Sequence, residues 1–399
     1  MRVFAFLFVI LLFAACHKDK NDDSIDTNHI TRINAGSATK LIKDNRGGFI
    51  IAGKVNVFNS TQSQLIKIDS LGYKYWGTNF GDNNVDGIND VLRTNTGFLT
   101  AGYTTTEEKS DTTFAISCLD NAGSIFWQHR YGIGSANVII DAYDQNYYGE
   151  YLVGGKSIMK DENSAQVSEN LSVIKINNKG SILWQYSLSN STGVQDILRN
   201  ENSFFITGNS KTKSEIANSS NVLVAALNVD GTEQWKKEIK LKDLPDGMTA
   251  TGIKLLKLTD GFLLAAAATS SNNKAIKEAY LLKLSYNGEV IWEKNMSSNF
   301  ELTDAKKANG HIYLLGNTFN SATNLYETNL IEADIRGTII NQYSFVINYD
   351  GVDDNSTSMY FDNDFVYIVG NSVVYRGSSS NRMYYFKYPI TEFNSLTKK

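Results

Sequence analysis

Asn177-Asn178-Lys179-Gly180-Ser181-Ile182-Leu183-Trp184 is one of five copies of a single pattern: a polar four-residue turn ending in glycine, three residues, then tryptophan. The other turns run from Asp69 to Gly72 before Trp76, Asp120 to Gly123 before Trp127, Asn228 to Gly231 before Trp235, and Ser285 to Gly288 before Trp292. Together they hold all five tryptophans, spaced 51, 57, 51 and 57 residues apart. Asp, Asn or Ser can bond the backbone at the head of a turn, and Gly supplies the left-handed conformation at its end. A fixed period near fifty residues means one supersecondary unit copied along the chain.

Outward from each turn lies a second signature, an aromatic-led apolar run ending in Gly or Ala. It runs from Phe49 to Gly53, Phe98 to Gly102, Tyr151 to Gly155, Phe204 to Gly208 and Phe262 to Ala266. The last two copies run from His311 to Gly316 and from Phe365 to Gly370. Between run and turn sits a third apolar segment, such as Leu65-Ile66-Lys67-Ile68, and before the run a fourth, such as Val91-Leu92-Arg93. Short runs of aliphatic and aromatic residues bounded by Gly and Asn are strands. Each unit therefore reads as a four-stranded antiparallel sheet. One such sheet leaves both faces wet, and radial packing of several would bury them.

The expected fold is an all-β, seven-bladed β-propeller of four-stranded antiparallel blades. The sixth unit keeps its turn, Asp334 to Gly337, but carries Asn341 where Trp is expected. The seventh meets Pro389 where its turn would begin, so a strand at residues 29–33 is expected to close the last blade. Trp on an outer strand is expected to act as a wedge between blades, since a buried aromatic covers roughly 150–250 Å². The expected organisation is 1–15 signal peptide, 16–28 tether, 29–390 propeller and 391–399 C-terminal tail.

The combined pattern, G-F/Y-x-x-A-G followed by D-x-x-G-x-x-x-W, resembles a bacterial propeller repeat family of the quinoprotein-dehydrogenase-like or WD40-like type, as found in Bacteroidota lipoproteins. The resemblance spans nearly everything after residue 35. It implies a propeller and no particular biochemical role.

Arg2 precedes an apolar run, Phe4 to Ala15, which is a secretory-signal pattern and is too short for a bilayer span of about 20 residues. Leu12-Phe13-Ala14-Ala15-Cys16 resembles the lipobox of bacterial lipoproteins, which implies a lipid on Cys16. The stretch after it, rich in Asp and Lys, reads as a tether and resembles a surface-export signal. Cys118 is the other of two cysteines, so no disulfide framework exists and the chain must be held by its core. A net charge of −4 argues against nucleic acid, and four scattered histidines argue against a His-built metal site.

Aligned by repeat, the inner strands carry Lys40, Asp90, Asp141, Asp196, Lys254, Asp304 and Thr357 at one position. Three residues on stand Lys43, Arg93, Asp144, Arg199, Lys257, Lys307 and Tyr360, about 10 Å further along a channel. One mouth is thus expected to be acidic and the other basic. Lys43, Arg93, Arg199, Lys257 and Lys307 are the candidate binding residues, against the simpler reading of solvated or paired strand ends.

Asp82, Asn84, Asp86 and Asp90 match alternate positions of a calcium loop, but Arg93 stands where the bidentate Glu belongs, so this is no EF-hand. No other cofactor is indicated. There is no G-x-S-x-G run, and no His accompanies a plausible nucleophile. Paired carboxylates such as Asp353 and Asp354 remain open.

The expected function is a lipid-anchored, outer-membrane, surface-displayed binding or scaffolding module, monomeric and non-enzymatic, for a protein or glycan. Function on such a scaffold concentrates in loops, and the inserts 159–170 and 211–220 are the longest. A periplasm-facing assembly factor and a carbohydrate-active or redox enzyme are the alternatives.

Overall fold

The computed structural model describes residues 30–58, 60–81, 85–105, 111–142, 149–160, 167–211, 220–242, 244, 247–270, 277–345, 347, 353–374 and 380–395. β1 (Ile30–Ala35) precedes the first repeat, which holds β2 (Ser37–Lys43), β3 (Phe49–Val57), β4 (Ser60–Ile68) and β5 (Lys74–Phe80). The second holds β6 (Asp86–Arg93), β7 (Gly97–Thr105), β8 (Thr112–Asp120) and the start of β9 (Ile125–Asp141). The end of β9 opens the third, with β10 (Glu150–Lys160), β11 (Val167–Asn177) and β12 (Ile182–Ser189). The fourth holds β13 (Ser191–Asn200), β14 (Ser203–Lys211), β15 (Ser220–Asn228) and β16 (Glu233–Ile239). The fifth holds β17 (Met248–Lys257), β18 (Phe262–Ser270), β19 (Lys277–Leu284) and β20 (Val290–Ser298). The sixth holds β21 (Glu301–Ala308), β22 (His311–Asn320), β23 (Leu325–Ala333) and β24 (Ile339–Phe345). The last holds β25 (Asp353–Phe361), β26 (Phe365–Val374) and β27 (Ser380–Pro389), then a 3-10 turn, Ile390–Ser395.

The sheet topology corrects the expected seven-bladed propeller, and with it the quinoprotein-like architecture. The strands form five hydrogen-bonded sheets of four, seven, eight, four and four strands, and none of them closes. Two local events merge the units that sequence spacing separated. β9 runs unbroken for 17 residues through Gly132 and Gly134, at φ of 73° and 143°, and so serves both the second and the third unit. Ser220 of β15 also pairs in parallel with Thr249 of β17, which joins the fourth and fifth repeats. β1 pairs antiparallel with β27, Ile30 opposite Phe386. The leader, Cys16 and tether readings fall on residues 1–29, outside the described residues, and the structure gives the lipoprotein and signal-peptide reading no support. Among the described residues no helix is long and apolar enough to cross a membrane.

The opening strands lie side by side. β2 touches β6, and the contacts pass on through β9, β13, β17, β21 and β25 back to β2. At one shared place each carries an extra residue against its partner: Thr39, Asn89, Asn137, Gln195, Ile253, Thr303 and Thr357. Beside each of these bulges stands the terminal residue of the aromatic run. A Cβ on Gly53 or Gly102 would lie 1.9 Å from the carbonyl oxygen of Ser37 or Gly87. Glycine ends that run because the bulged neighbour brings a carbonyl onto it. In the fifth repeat the roles exchange, with Ala266 opposite Gly252.

The turn chemistry is as direct. Asp69 Oδ1 accepts the amides of Leu71 and Tyr73 at 2.8 and 2.9 Å, and Gly72 adopts φ of 92°. Asp120, Asn177 and Asp334 do the same in their own turns. Each Trp then reaches the following repeat. A Cβ on Gly123, Gly231, Gly288 or Gly337 would lie 2.6–2.8 Å from the ring of Trp76, Trp184, Trp235 or Trp292. The indole N–H of Trp127, Trp184 and Trp235 donates to the carbonyls of Asn178, Val229 and Tyr286 in the next turn. Asn341 breaks the series because the seventh repeat has no such turn. Phe393 of the 3-10 turn covers Tyr343 and Phe345 instead. At the last junction Tyr385 donates to the carbonyl of Ser70, and Thr31 to that of Leu71.

Candidate functional site

The seven opening strands surround a polar cavity of about 130 Å³, lined in part by Thr39, Lys40, Asn89, Asp90, Asn137 and Lys254. The position after each bulge reads Lys40, Asp90, Val138, Asp196, Lys254, Asp304 and Ser358. The repeat alignment had placed Asp141 and Thr357 there, so it was off by three residues in the third repeat and by one in the seventh. Neither slip is visible in sequence, because the bulge adds a residue whose place only strand pairing reveals.

Acids occupy this position in the second, fourth and sixth repeats, and each grips the backbone of the next. Asp90 Oδ2 accepts the amide of Ile139 at 3.0 Å, Asp196 Oδ2 that of Leu255 at 2.8 Å, and Asp304 Oδ2 that of Met359 at 3.0 Å. Lys40 pairs with Asp90 at 3.1 Å and Lys254 with Asp196 at 2.8 Å, while Lys306 lies 3.7 Å from Asp304. Burial opposes the charge of Lys254, but Asp196 beside it, with Asp304 and Asp90 beyond, holds its ammonium above the ordinary lysine range. Burial likewise opposes ionisation of Asp304, yet Lys306, Lys254 and Lys40 hold its carboxyl below the usual range. Asp304 raises Lys306, while burial, Lys40 and Lys254 together leave it below its ordinary value. Three carboxylates and three ammoniums thus neutralise one another, and the expected division into an acidic and a basic mouth is absent at this level.

The predicted cationic residues sit at the turn end of the same strands. Lys43 lies over the ring of Phe49, 4.4 Å from its centre. Arg93 bonds Asn45 and the carbonyl of Gly97, faces Asp44 at 3.4 Å and covers Phe98. These two are committed to packing. Arg199 is half-buried on β13. Lys257 and Lys307 are exposed and have no ion partner among the described residues.

Of the calcium-loop candidates, Asp82 and Asn84 lie outside the described residues, Asp86 is buried, and Asp90 is engaged by Lys40 and Ile139. No cluster of three or more metal-ligating side chains occurs among the described residues. Burial pushes the half-buried Cys118 thiol up, which keeps it protonated and a poor nucleophile at neutral pH. Asp353 and Asp354 both lie on β25, where Asp353 accepts the amide of Tyr326 at 2.9 Å. Burial drives the Asp354 carboxyl up to about 6.

One cluster escaped sequence reading. Buried Glu332 accepts from Tyr343 at 2.6 Å, Asn341 at 3.0 Å, Tyr313 at 3.2 Å and also from His311. Burial opposes its charge, but Asn341, Tyr343 and His311 hold its carboxyl below the usual range. The clue was present: Asn replaces Trp in the one repeat where Glu replaces the usual Lys or apolar residue across from it.

The second, third and fourth strands of each repeat place the D-x-x-G turns at one end of the molecule and the second-to-third connections at the other. At this loop end a polar cleft of about 450 Å³ opens, lined by Leu188, Ser189, Asn190, Ser191, Ser210, Lys211, Lys236 and Glu238. It adjoins the insert 211–220, of which residues 212–219 lie outside the described residues, as do 161–166 of the other insert.

No protein-family model matches the chain, and no curated protein matches it. Among solved structures it is similar to Synechocystis apocarotenoid oxygenase, with 8% identity over 77% of this chain and 71% of that one, at a TM-score of 0.44. It is also similar to Pyrococcus horikoshii acylaminoacyl peptidase, with 11% identity over 91% of this chain, at a TM-score of 0.49. The match spans only 53% of the peptidase.

Proposed function

We propose that this chain is a non-enzymatic binding module that engages a protein or glycan partner at its loop end. The observation that carries this reading is the 450 Å³ cleft, whose lining combines Asn190, Ser210, Lys211, Lys236 and Glu238. That volume is in the range of ligand sites, and a polar lining suits a hydroxyl-rich or charged partner better than an apolar one. Lys236 and Glu238 are exposed and unpaired among the described residues, so their hydrogen-bonding capacity is open to a partner. The central cavity supports the same reading from the other side, since its carboxylates are already spent on Lys40, Lys254 and backbone amides. The envelope location, outer-membrane attachment through a lipid on Cys16 with outward display, is proposed on sequence alone. Radiolabelled palmitate incorporation lost in Cys16→Ser, and surface-protease sensitivity of intact cells, test it.

For the binding reading, full-length Lys236→Glu/Glu238→Lys is compared with wild type in pull-downs from envelope extract and in calorimetry against an oligosaccharide panel. Capture by wild type that disappears in the variant, with unchanged circular dichroism, supports it. Equal capture by both proteins overturns the cleft as the working surface.

A further inference from the structure

The closing strand of each of the first six repeats carries its own bulge, immediately before the Trp or, in the sixth, before Asn341. The extra residues are Tyr75, Phe126, Leu183, Gln234, Ile291 and Ile340. A bulge on an open edge interrupts the ladder and discourages pairing with a foreign strand, which explains its presence but not its composition. Nothing in the ladder requires an apolar residue there, since the bulged side chain has no cross-strand partner. Yet five of the six are apolar or aromatic, and they are exposed: Tyr75 67%, Phe126 64%, Leu183 47%, Ile291 54% and Ile340 44%. Leu71, Val229 and Ile335, within the adjoining turns, are exposed as well.

The five bulge side chains stand on five different closing strands. They recur at the same strand end in successive repeats, so they are distributed points at one end of the molecule. A globular protein partner needs a contiguous surface, whereas distributed apolar points at one end suit a flat one. The chain also enters at this end: Thr31, the second described residue, donates to the carbonyl of Leu71. Thirteen residues, 17–29, separate Ile30 from Cys16, the residue proposed above to carry the lipid. At full extension they reach at most about 50 Å, so this end stays near the membrane that the lipid holds. Aromatic and aliphatic side chains, with tyrosine among them, are the types that settle at a membrane interface.

We infer that the turn end of the molecule docks on a phospholipid bilayer surface through Tyr75, Phe126, Leu183, Ile291 and Ile340, leaving the loop end free. The inference shares the membrane location proposed above but is tested apart from it, because the lipid contact is read directly. The five tryptophans follow the bulge residues and are native reporters. Full-length protein is mixed with phosphatidylcholine vesicles whose acyl chains are brominated near the headgroup, and Trp emission and flotation are measured together.

The expected result is quenching of wild-type emission that is lost in Phe126→Ser/Leu183→Ser/Ile291→Ser/Ile340→Ser, with flotation through the N-terminal segment retained. Should that variant unfold, Phe126→Ser and Ile340→Ser singly are each expected to lose part of the quenching. Wild-type protein that floats unquenched, or variants quenched like wild type, overturn the inference. Self-association without lipid that the variant abolishes also overturns it, because the belt is then an interface between copies. Failure of palmitate labelling, by contrast, bears only on the location.

Discussion

Each full repeat uses the same backbone device twice, with opposite results. The bulge on the opening strand faces its counterparts across a shared cavity, where Asp90, Asp196 and Asp304 are buried and tied to the next repeat. The bulge on the closing strand lies on a sheet edge and presents Phe126 or Ile291 to solvent. A bulge by itself determines neither outcome. The inner ones are constrained by glycine on the partner strand and by charges on the neighbouring repeat, and the outer ones by neither. The inner bulges should therefore be intolerant of substitution and the outer ones permissive.

The largest effect is expected at the inner glycine. Gly102→Ala places a Cβ 1.9 Å from the carbonyl oxygen of Gly87, so the ladder must shift, at a cost of about 4 kcal/mol in urea unfolding. A cost below about 1 kcal/mol would break the account of why the aromatic run ends in glycine. Next, Asp90→Ala leaves Lys40 and the amide of Ile139 without their shared partner, and about 3 kcal/mol should be lost. Equal loss for Asp90→Asn, which keeps the shape and removes the charge, would show that the charge carries the effect, and little loss would show that shape suffices.

Asp354 sharpens the contrast because it is a buried acid on an opening strand without an ammonium partner. Its Oδ2 has no hydrogen bond among the described residues, and burial raises its carboxyl to about 6. Its folded value lies above its unfolded one, so it adds stability when protonated, and that contribution is lost as pH rises from about 4 to about 6. Asp354→Asn should thus stabilise the protein at pH 7 by about 2 kcal/mol, with the gain vanishing near pH 4 in thermal melts. The smallest effect is expected at the outer bulge, where Phe126→Ser should change folding stability by no more than about 0.5 kcal/mol.

Much of this was legible in the chain. The four-strand repeat, the Asx-headed turns and the Trp as a link between repeats all depend on residues within one period, and local chemistry writes them plainly. The separate seven-sheet propeller was not, because whether β9 breaks at Gly132 or runs on depends on partners in two repeats at once. The site residues divide in the same way. Arg93 reads as a free cation in sequence, and only packing shows it held by Asp44 and Asn45, 49 and 48 residues earlier. Glu332 has no local signal in sequence, because its four donors come from the two strands that flank it, β22 and β24.

What the amino-acid sequence determined alone is the unit: the order of its strands, the turn conformations and the Gly or Ala that ends each aromatic run. Side-chain alternation and left-handed turn geometry are properties of neighbours in the chain. Tertiary structure decided which units fuse into one sheet, which charges meet in the central cavity, and which apolar bulge residues stay exposed. Those outcomes depend on carbonyls, carboxylates and rings brought together from about fifty residues away, and no local propensity encodes that distance.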